Sequence, residues 1–261
     1  MAFNQFCVHR IGGEEQPQKL LYSVFKTLTD RTFKPSSTVM AENDKSLAED
    51  ESGAKFIEQW APAIKKQQKI TQEAFIPFDH PHLSLHLRGD KTTIHGLKEI
   101  SQALCFNSQS IYETADSYRM PVKDFNQSIE DYVYSRTVGF YSPDDGTEFK
   151  WTEEDRHEQL ASGYSSLIDF NAARERGIAK EVAQESLPQN LIINATVTAS
   201  LGDWLRLLER ASLMRSSYEM KTIVDKIGEE IRKWVPEIYR WWYSGFKKKR
   251  SRSSEPKTVA A

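Results

Sequence analysis

Three histidines, His80, His82 and His86, stand at even spacing in P77-F-D-H-P-H-L-S-L-H-L-R88. The alternation puts Leu83, Leu85 and Leu87 on one face of a strand and His82, Ser84, His86 and Arg88 on the other. Side chains at i and i+2 on a strand lie about 7 Å apart, so the histidines can line a polar groove or gather a zinc or iron ion. The metal reading lacks a completing ligand, because alternation turns Asp79 to the other face, and the histidines are read as lining a pocket or the surface. A second stretch, C105-F-N-S-Q-S-I-Y-E113, packs Asn107, Ser108, Gln109 and Ser110 together, offering donors and acceptors without charge. Such a cluster can bind the edge of a heterocycle, or it can be a polar loop closed by local side-chain to backbone bonds. The basic cluster R174-E-R-G-I-A-K180 reads as a solvated helix start rather than an anion site.

A third stretch is G177-I-A-K-E-V-A-Q-E-S-L-P-Q-N190. Ile178, Val182 and Leu187 recur near helical spacing, and Pro188, which has no N–H to donate, must end the helix. The next residues, L191-I-I-N-A-T-V-T-A-S200, are rich in β-branched side chains and read as a buried strand. Asn190 is left at the junction of the two.

The elements that position these residues alternate along the chain. Leu21, Val24, Phe25 and Leu28 predict a helix, followed by a polar acidic loop over 41–52, and residues 53–69 read as helical again. Ile94, Leu97, Ile100 and Leu104 predict a helix over 92–104. Residues 120–156 are irregular, with a turn in Y141-S-P-D-D-G-T-E148 and room for an active-site loop. Helix resumes near Glu158 on the stripe Leu160, Tyr164, Leu167, Ile168 and Phe170. Asp203 is expected to cap the helix W204-L-R-L-L-E-R210, and Ser216 with Glu219 fits a capping box for a helix carrying Ile223, Val224, Ile227 and Ile231.

With 261 residues, 39% hydrophobic and 28% charged, the composition fits one globular domain over residues 1–245. The basic run K247-K-K-R-S-R-S-S254 lies within a tail over 246–261 that reads as disordered and solvated, with a nucleic-acid arm as the minor alternative. A net charge of −2 gives no whole-protein attraction to nucleic acid or anionic lipid. No apolar run reaches the roughly 18 residues of a membrane span. Two distant cysteines, Cys7 and Cys105, and no secretory leader fit reduced thiols and a cytoplasmic location. Walker, G-x-G-x-x-G and G-x-S-x-G motifs are absent.

Taken in order, these stretches resemble the flavin-dependent thymidylate synthases. G177-I-A-K-E-V-A-Q-E-S-L-P-Q-N190 is similar to the family's G-x-x-x-E-x-A-R-x-x-L-P-x-N, and W204-L-R-L-L-E-R210 with S216-S-Y-E-M-K221 fall at its H-F-L-x-L-R and A-Q-x-E-I-R segments. P77-F-D-H80 looks like its P-F-E-H, and C105-F-N-S-Q-S-I-Y-E113 like the later half of R-H-R-x-x-S-x-N-E-x-S-x-R-Y. The resemblance covers about residues 75 to 240 and implies an α/β (α+β) fold with helices packed on a small mixed or antiparallel sheet. It also implies FAD bound between subunits of a homotetramer, with Asn190, Asp79, His80 and His82 on the flavin side. The substrate side would carry Asn107, Gln109, Ser110 and Gln184. The implied reaction is reductive C5 methylation of a pyrimidine nucleotide with methylene-tetrahydrofolate and NADPH.

The departures fall on the family's cations. Its R-H-R lands on Ile100, Ser101 and Gln102, the arginine of S-x-R-Y on Tyr112, that of A-R on Gln184, and the N-A-R loop on Ser200, Leu201 and Gly202. A slipped register would bring Arg119 into the substrate side. The same departures admit an inactive paralogue or partner subunit that keeps the fold.

Overall fold

The computed structural model describes residues 6–17, 20–21, 77–108, 110, 125–141, 149–213 and 217–253. The helices expected over 53–69 and most of 20–28 lie outside them, as do Gln109, Tyr112 and Arg119. In chain order the elements are β1 (Cys7–Gly13), β2 (His82–Asp90), α1 (Lys91–Ile100), β3 (Cys105–Ser108), α2 (Phe125–Tyr132), β4 (Gly139–Tyr141), β5 (Phe149–Trp151), α3 (Glu153–Glu175), α4 (Lys180–Ala183), β6 (Ile192–Ser200), α5 (Leu201–Leu213), α6 (Tyr218–Trp234) and α7 (Pro236–Ser253). Short 3-10 turns occupy Pro77–Asp79 and Gln184–Ser186. One sheet runs β1-β2-β6-β3, and β4 pairs with β5 in a separate ribbon. This is the mixed architecture expected, helices around a small sheet.

The strand periodicity holds in β2, where Leu83, Leu85 and Leu87 are fully buried while the histidine side stays partly open. In β6, Ile193, Ala195, Val197 and Ala199 are buried in turn. The polar stretch at Asn107 is a strand and not a loop: β3 pairs antiparallel with β6, Phe106 opposite Val197 and Asn107 opposite Thr196. Pairing there gives the backbone N–H and C=O groups their partners, which outweighs the low strand propensity of Asn and Ser. It also ends α1 at Ile100, short of Leu104.

Several helix boundaries differ from the expectation for local reasons. α3 starts at Glu153, ahead of Glu158, because Thr152 and Asp155 form a reciprocal capping box. It ends in a Schellman motif: Gly177 at φ +80 donates to the Arg174 carbonyl, and Ile178 N–H reaches back to Ala173. Gly177 therefore closes α3, and the helix expected from it shrinks to the single turn of α4 and a 3-10 turn ending at Ser186. α5 is capped by Ser200, whose Oγ accepts from Asp203 N–H, so Asp203 lies inside the first turn. Ser217 Oγ accepts from Met220 N–H at the start of α6; Ser216 is outside the described residues, and Glu219 is engaged elsewhere. α7 begins at Pro236, a residue suited to a first helical position, and runs to Ser253. It takes in residues 246–253, for which the sequence suggests a loose tail; Lys and Arg are good helix formers and are favoured near a helix C-terminus.

The chain divides into two compact units. The first, residues 1–11, 84–198 and 210–227, holds a core that includes Leu85, Ile94, Leu97, Leu167, Phe170 and Val197. The second, residues 12–83, 199–209 and 228–261, holds Leu83, Trp204, Leu207, Ile231 and Ile238. Trp204 is fully buried there and its indole N–H donates to the Leu83 carbonyl at 3.1 Å.

Gly163, in the middle of α3, faces Val133: a Cβ at that position would stand 2.5 Å from Val133 Cγ1. The Val133 backbone is held by its bridge to Leu191, and a β-branched side chain has little rotamer freedom. Overpacking typically costs about 1–3 kcal/mol, against which Ala recovers about 1 kcal/mol of helix propensity. Gly163→Ala is expected to lose about 1 kcal/mol in urea unfolding; a gain in stability would show that Val133 turns aside freely.

Candidate functional site

In the second unit the turn Pro77–Asp79 leads into β2 and meets the start of α5. Leu201 N–H donates to the Pro81 carbonyl at 2.8 Å, which fixes the two segments side by side. Arg206, one turn into α5, donates from Nη1 to Asp203 Oδ1 at 2.5 Å and from Nη2 to Asp79 Oδ1 at 3.1 Å and Oδ2 at 3.4 Å. Asp203 is itself held by the Ser200 hydroxyl, which donates to its Oδ2 at 2.8 Å. Gly202 sits beneath the Asp79–Arg206 pair; a Cβ there would lie 2.2 Å from Asp79 Oδ1. His80 and His82 are exposed, and His82 Nδ1 donates to the His80 carbonyl at 2.7 Å, which makes Nε2 the acceptor nitrogen of that tautomer. Among the described residues no group of three or more His, Cys, Asp or Glu is placed to hold a metal ion.

In the first unit Asn190 occupies the turn after the 3-10 helix, half-buried. Its Nδ2 donates to the Tyr134 carbonyl at 2.7 Å, and Tyr134 N–H donates back to the Asn190 carbonyl at 2.8 Å. Two reciprocal bonds thus lock the Asn190 turn to the segment 133–136. That segment is tied in turn to α6: Arg136 Nε donates to Glu219 Oε1 at 2.5 Å, and Tyr134 Oη donates to the same oxygen at 3.4 Å. The Arg136 guanidinium lies 5.4–5.7 Å from the ring centres of Tyr141, Phe149 and Trp151, so the β4–β5 ribbon supplies an aromatic wall for it.

Burial pushes the Tyr134 hydroxyl well above its usual range, with Glu219 reinforcing the shift, so Tyr134 stays a donor. Burial also raises Asp90, the N-cap of α1, with Glu219 adding to the shift and the Thr93 bonds opposing it. Asp90 Oδ1 accepts from Thr93 N–H at 3.0 Å, but buried Oδ2 has no partner among the described residues. A carboxyl whose folded pKa exceeds its unfolded one adds stability at low pH and loses it as pH rises through the folded value. Asp90→Asn keeps the cap acceptor and removes the buried charge. It is expected to unfold at a temperature equal to or above the parent's at pH 7, with the difference shrinking as pH falls toward the ordinary carboxylate range. A difference that widens toward acid pH would contradict that sign.

The other sequence candidates are dispersed. Asn107 is exposed on β3, Ser110 is half-buried just after it, and Gln184 is half-buried at the start of the 3-10 turn. Among the described residues no hydrogen bond joins Asn107 or Gln184 to Asn190. The positions aligned with the family's arginines are unlike a clamp: Ile100 and Ser101 are buried and Gln102 is exposed. Sequence reasoning missed Arg136 with Glu219 and Arg206 with Asp79. The first is 83 residues apart and carries no local signal; in the second, only the i, i+4 relation of Gly202 and Arg206 is legible.

The family described as Thymidylate synthase complementing protein matches residues 97–237. No curated protein matches the chain by sequence. Among solved structures, a UMP/dUMP methylase, PolB, from Streptomyces cacaoi, bound with 5-Br dUMP, superimposes with a TM-score of 0.62 at 12% identity, covering 92% of this chain and 95% of that one. Thymidylate Synthase X from Helicobacter pylori, solved with FAD and dUMP, gives a TM-score of 0.60 at 10% identity over 90% of this chain and 98% of that one. At such identities the likeness is one of fold.

Proposed function

Because the chain belongs to the thymidylate synthase complementing protein family, we propose that it is a divergent flavin-dependent enzyme. The reaction is reductive C5 methylation of a pyrimidine nucleotide, nucleoside or related heterocycle, with methylene-tetrahydrofolate as carbon donor and NADPH as reductant. The observation that carries this reading is the family match over residues 97–237, which takes in the Asn190 turn. FAD, when bound, supplies the hydride chemistry that none of the twenty side chains can perform. We further propose a cytoplasmic homo-oligomer, a tetramer by the family resemblance, acting on a small molecule rather than on nucleic acid.

The residues present fit the flavin in part. Asn190 has spent one N–H on Tyr134, and its Oδ1 and second N–H match the alternating donors and acceptors of an isoalloxazine edge. In the second unit, taken by itself, two carboxylates at Asp79 and Asp203 face the Arg206 charge, which disfavours a pyrophosphate there.

On the substrate side, the buried Ile100 and Ser101 and the uncharged Gln184 favour a ligand with less negative charge than dUMP. The same observation supports the second reading, an inactive paralogue or partner subunit that keeps the fold. Flavin titration separates the two. Adding FAD to the purified chain should quench flavin fluorescence to a stoichiometric end point, and a protein that never binds flavin would refute the enzyme reading. Asn190→Ala is expected to weaken FAD about tenfold to a hundredfold, the worth of one or two hydrogen bonds to a buried ring edge. Glu185→Ala, on the exposed side of the same 3-10 turn, should bind like the parent; equal affinities for both variants would remove Asn190 from the flavin site.

A further inference from the structure

The turn that carries Asn190 is held at three successive peptide carbonyls, all within the first unit. The Gln189 carbonyl accepts from Thr92 Oγ1 at 3.4 Å, that of Asn190 from Tyr134 N–H at 2.8 Å and that of Leu191 from Lys91 N–H at 2.8 Å. Its backbone is thus fixed from two sides, by the start of α1 and by the segment 133–136. The Asn190 side chain is anchored by the 2.7 Å bond from Nδ2 to the Tyr134 carbonyl. A carbonyl only accepts, so this bond decides which way the amide faces: nitrogen toward Tyr134, Oδ1 away from it. The Tyr134 carbonyl belongs to a peptide group with an anchored side chain on either side. Tyr134 Oη donates to Glu219 Oε1 at 3.4 Å, and Arg136 donates from Nε to the same oxygen at 2.5 Å and from Nη2 to Oε2 at 3.4 Å.

We propose that Glu219 and Arg136 are positioning residues for Asn190: they hold the Tyr134 carbonyl at the angle that orients the Asn190 amide, and through it they set how tightly flavin is bound. The inference rests on the reading under Proposed function that Asn190 meets the flavin ring. The last torsion of an asparagine is broad and roughly two-fold. Without its anchor the amide turns over and offers an N–H where the ligand needs an acceptor. Hydrogen bonds also weaken steeply as their angle closes, so a small rotation of the Tyr134 peptide group is enough to release Nδ2. The ion pair suits this task better than packing does. Apolar side chains of equal volume commonly hold a fold as well as a buried pair, but they have no preferred direction, whereas a guanidinium forked onto a carboxylate has one. Glu219 is 8% exposed and Arg136 28%, and the rings of Tyr141, Phe149 and Trp151 confine the guanidinium further.

A double-mutant cycle on FAD binding tests this, with fluorescence quenching of the full chain measured well below its unfolding temperature. Glu219→Gln keeps an acceptor but loses the charge, and Arg136→Lys keeps the charge but loses the fork; if one fails to fold, the other carries the cycle. Each is expected to weaken FAD about threefold to tenfold, the worth of one misdirected hydrogen bond. In the Asn190→Ala background the same changes are expected to alter affinity by less than about twofold, because residues that act through one another do not add. Leu97→Val, a change in the core of the first unit, should lower the unfolding temperature and leave FAD affinity as in the parent. If Asn190→Ala weakens FAD while Glu219→Gln and Arg136→Lys bind it like the parent, the inference fails and the functional reading stands. Effects that add to that of Asn190→Ala, or an equal weakening in Leu97→Val, also overturn it. An Asn190→Ala variant that binds FAD like the parent removes Asn190 from the site and the inference with it, and a parent that binds no flavin overturns the enzyme reading as well.

Discussion

Titrated into the flavin-loaded protein, dUMP is expected to bind no more than a few-fold better than deoxyuridine. In a site that clamps the phosphate with arginines, each charge-assisted bond is worth roughly 1.5–3 kcal/mol, so two or three of them separate nucleotide from nucleoside by a factor of thousands. Here the aligned positions cannot form that clamp. Ile100 and Ser101 are packed into the core at 8% and 3% exposure, Gln102 and Gln184 carry no charge, and Gly202 has no side chain. Arg206 is already faced by two carboxylates. Parallel calorimetric titrations give the ratio directly. Micromolar dUMP binding with deoxyuridine a thousandfold weaker would mean that other cations of the protein hold the phosphate.

Glu219→Ala should be the most destabilising single change in the first unit outside the hydrophobic core. The Glu219 side chain is 8% exposed and Arg136 28%, so removing the carboxylate leaves a largely enclosed guanidinium among Tyr141, Phe149 and Trp151 with its ion partner gone. Breaking one side of a buried pair costs about 3–5 kcal/mol, and the partial solvent access of Arg136 places this case near 3 kcal/mol. For a chain of this size that lowers the midpoint by about 6–12 °C. Glu219→Gln, which keeps an acceptor for Arg136 and Tyr134, should lose about half as much. Calorimetric unfolding of the three proteins checks the order, and an alanine variant within 1 °C of the parent would show that solvent replaces the pair at no cost.

The network around Glu219 also shows which features a sequence exposes and which it conceals. Leu83, Leu85 and Leu87 announce β2 because burial on one face imposes a period of two. Residues 191–200 announce β6 through β-branched content, and Pro188 marks the turn that presents Asn190. Those signals are local, and they survive folding. The strand Cys105–Ser108 is concealed because its four residues owe their conformation to β6, nearly ninety positions later. Gly177 misleads: it looks like the first residue of a helix and is the residue that ends one, since only the tertiary course of the chain decides which side of it is helical. Asn190 was legible as a junction residue, but its partner Tyr134 lies 56 positions away in a stretch without periodicity. Arg136 is invisible for the same reason. The Asp79–Arg206 pair spans 127 positions, and only the bare backbone at Gly202 hints that something else must cover that turn.

Following the carbon tests the proposed reaction itself. Purified full-length protein, loaded with FAD and given NADPH and methylene-tetrahydrofolate labelled at the methylene carbon, is offered uracil, deoxyuridine and dUMP, and the products are separated and counted. Label is expected in a C5 methyl group, present only when flavin is bound, and greater with the uncharged pyrimidines than a phosphate-clamping site would allow. A protein that binds flavin and leaves all three pyrimidines unlabelled would contradict it.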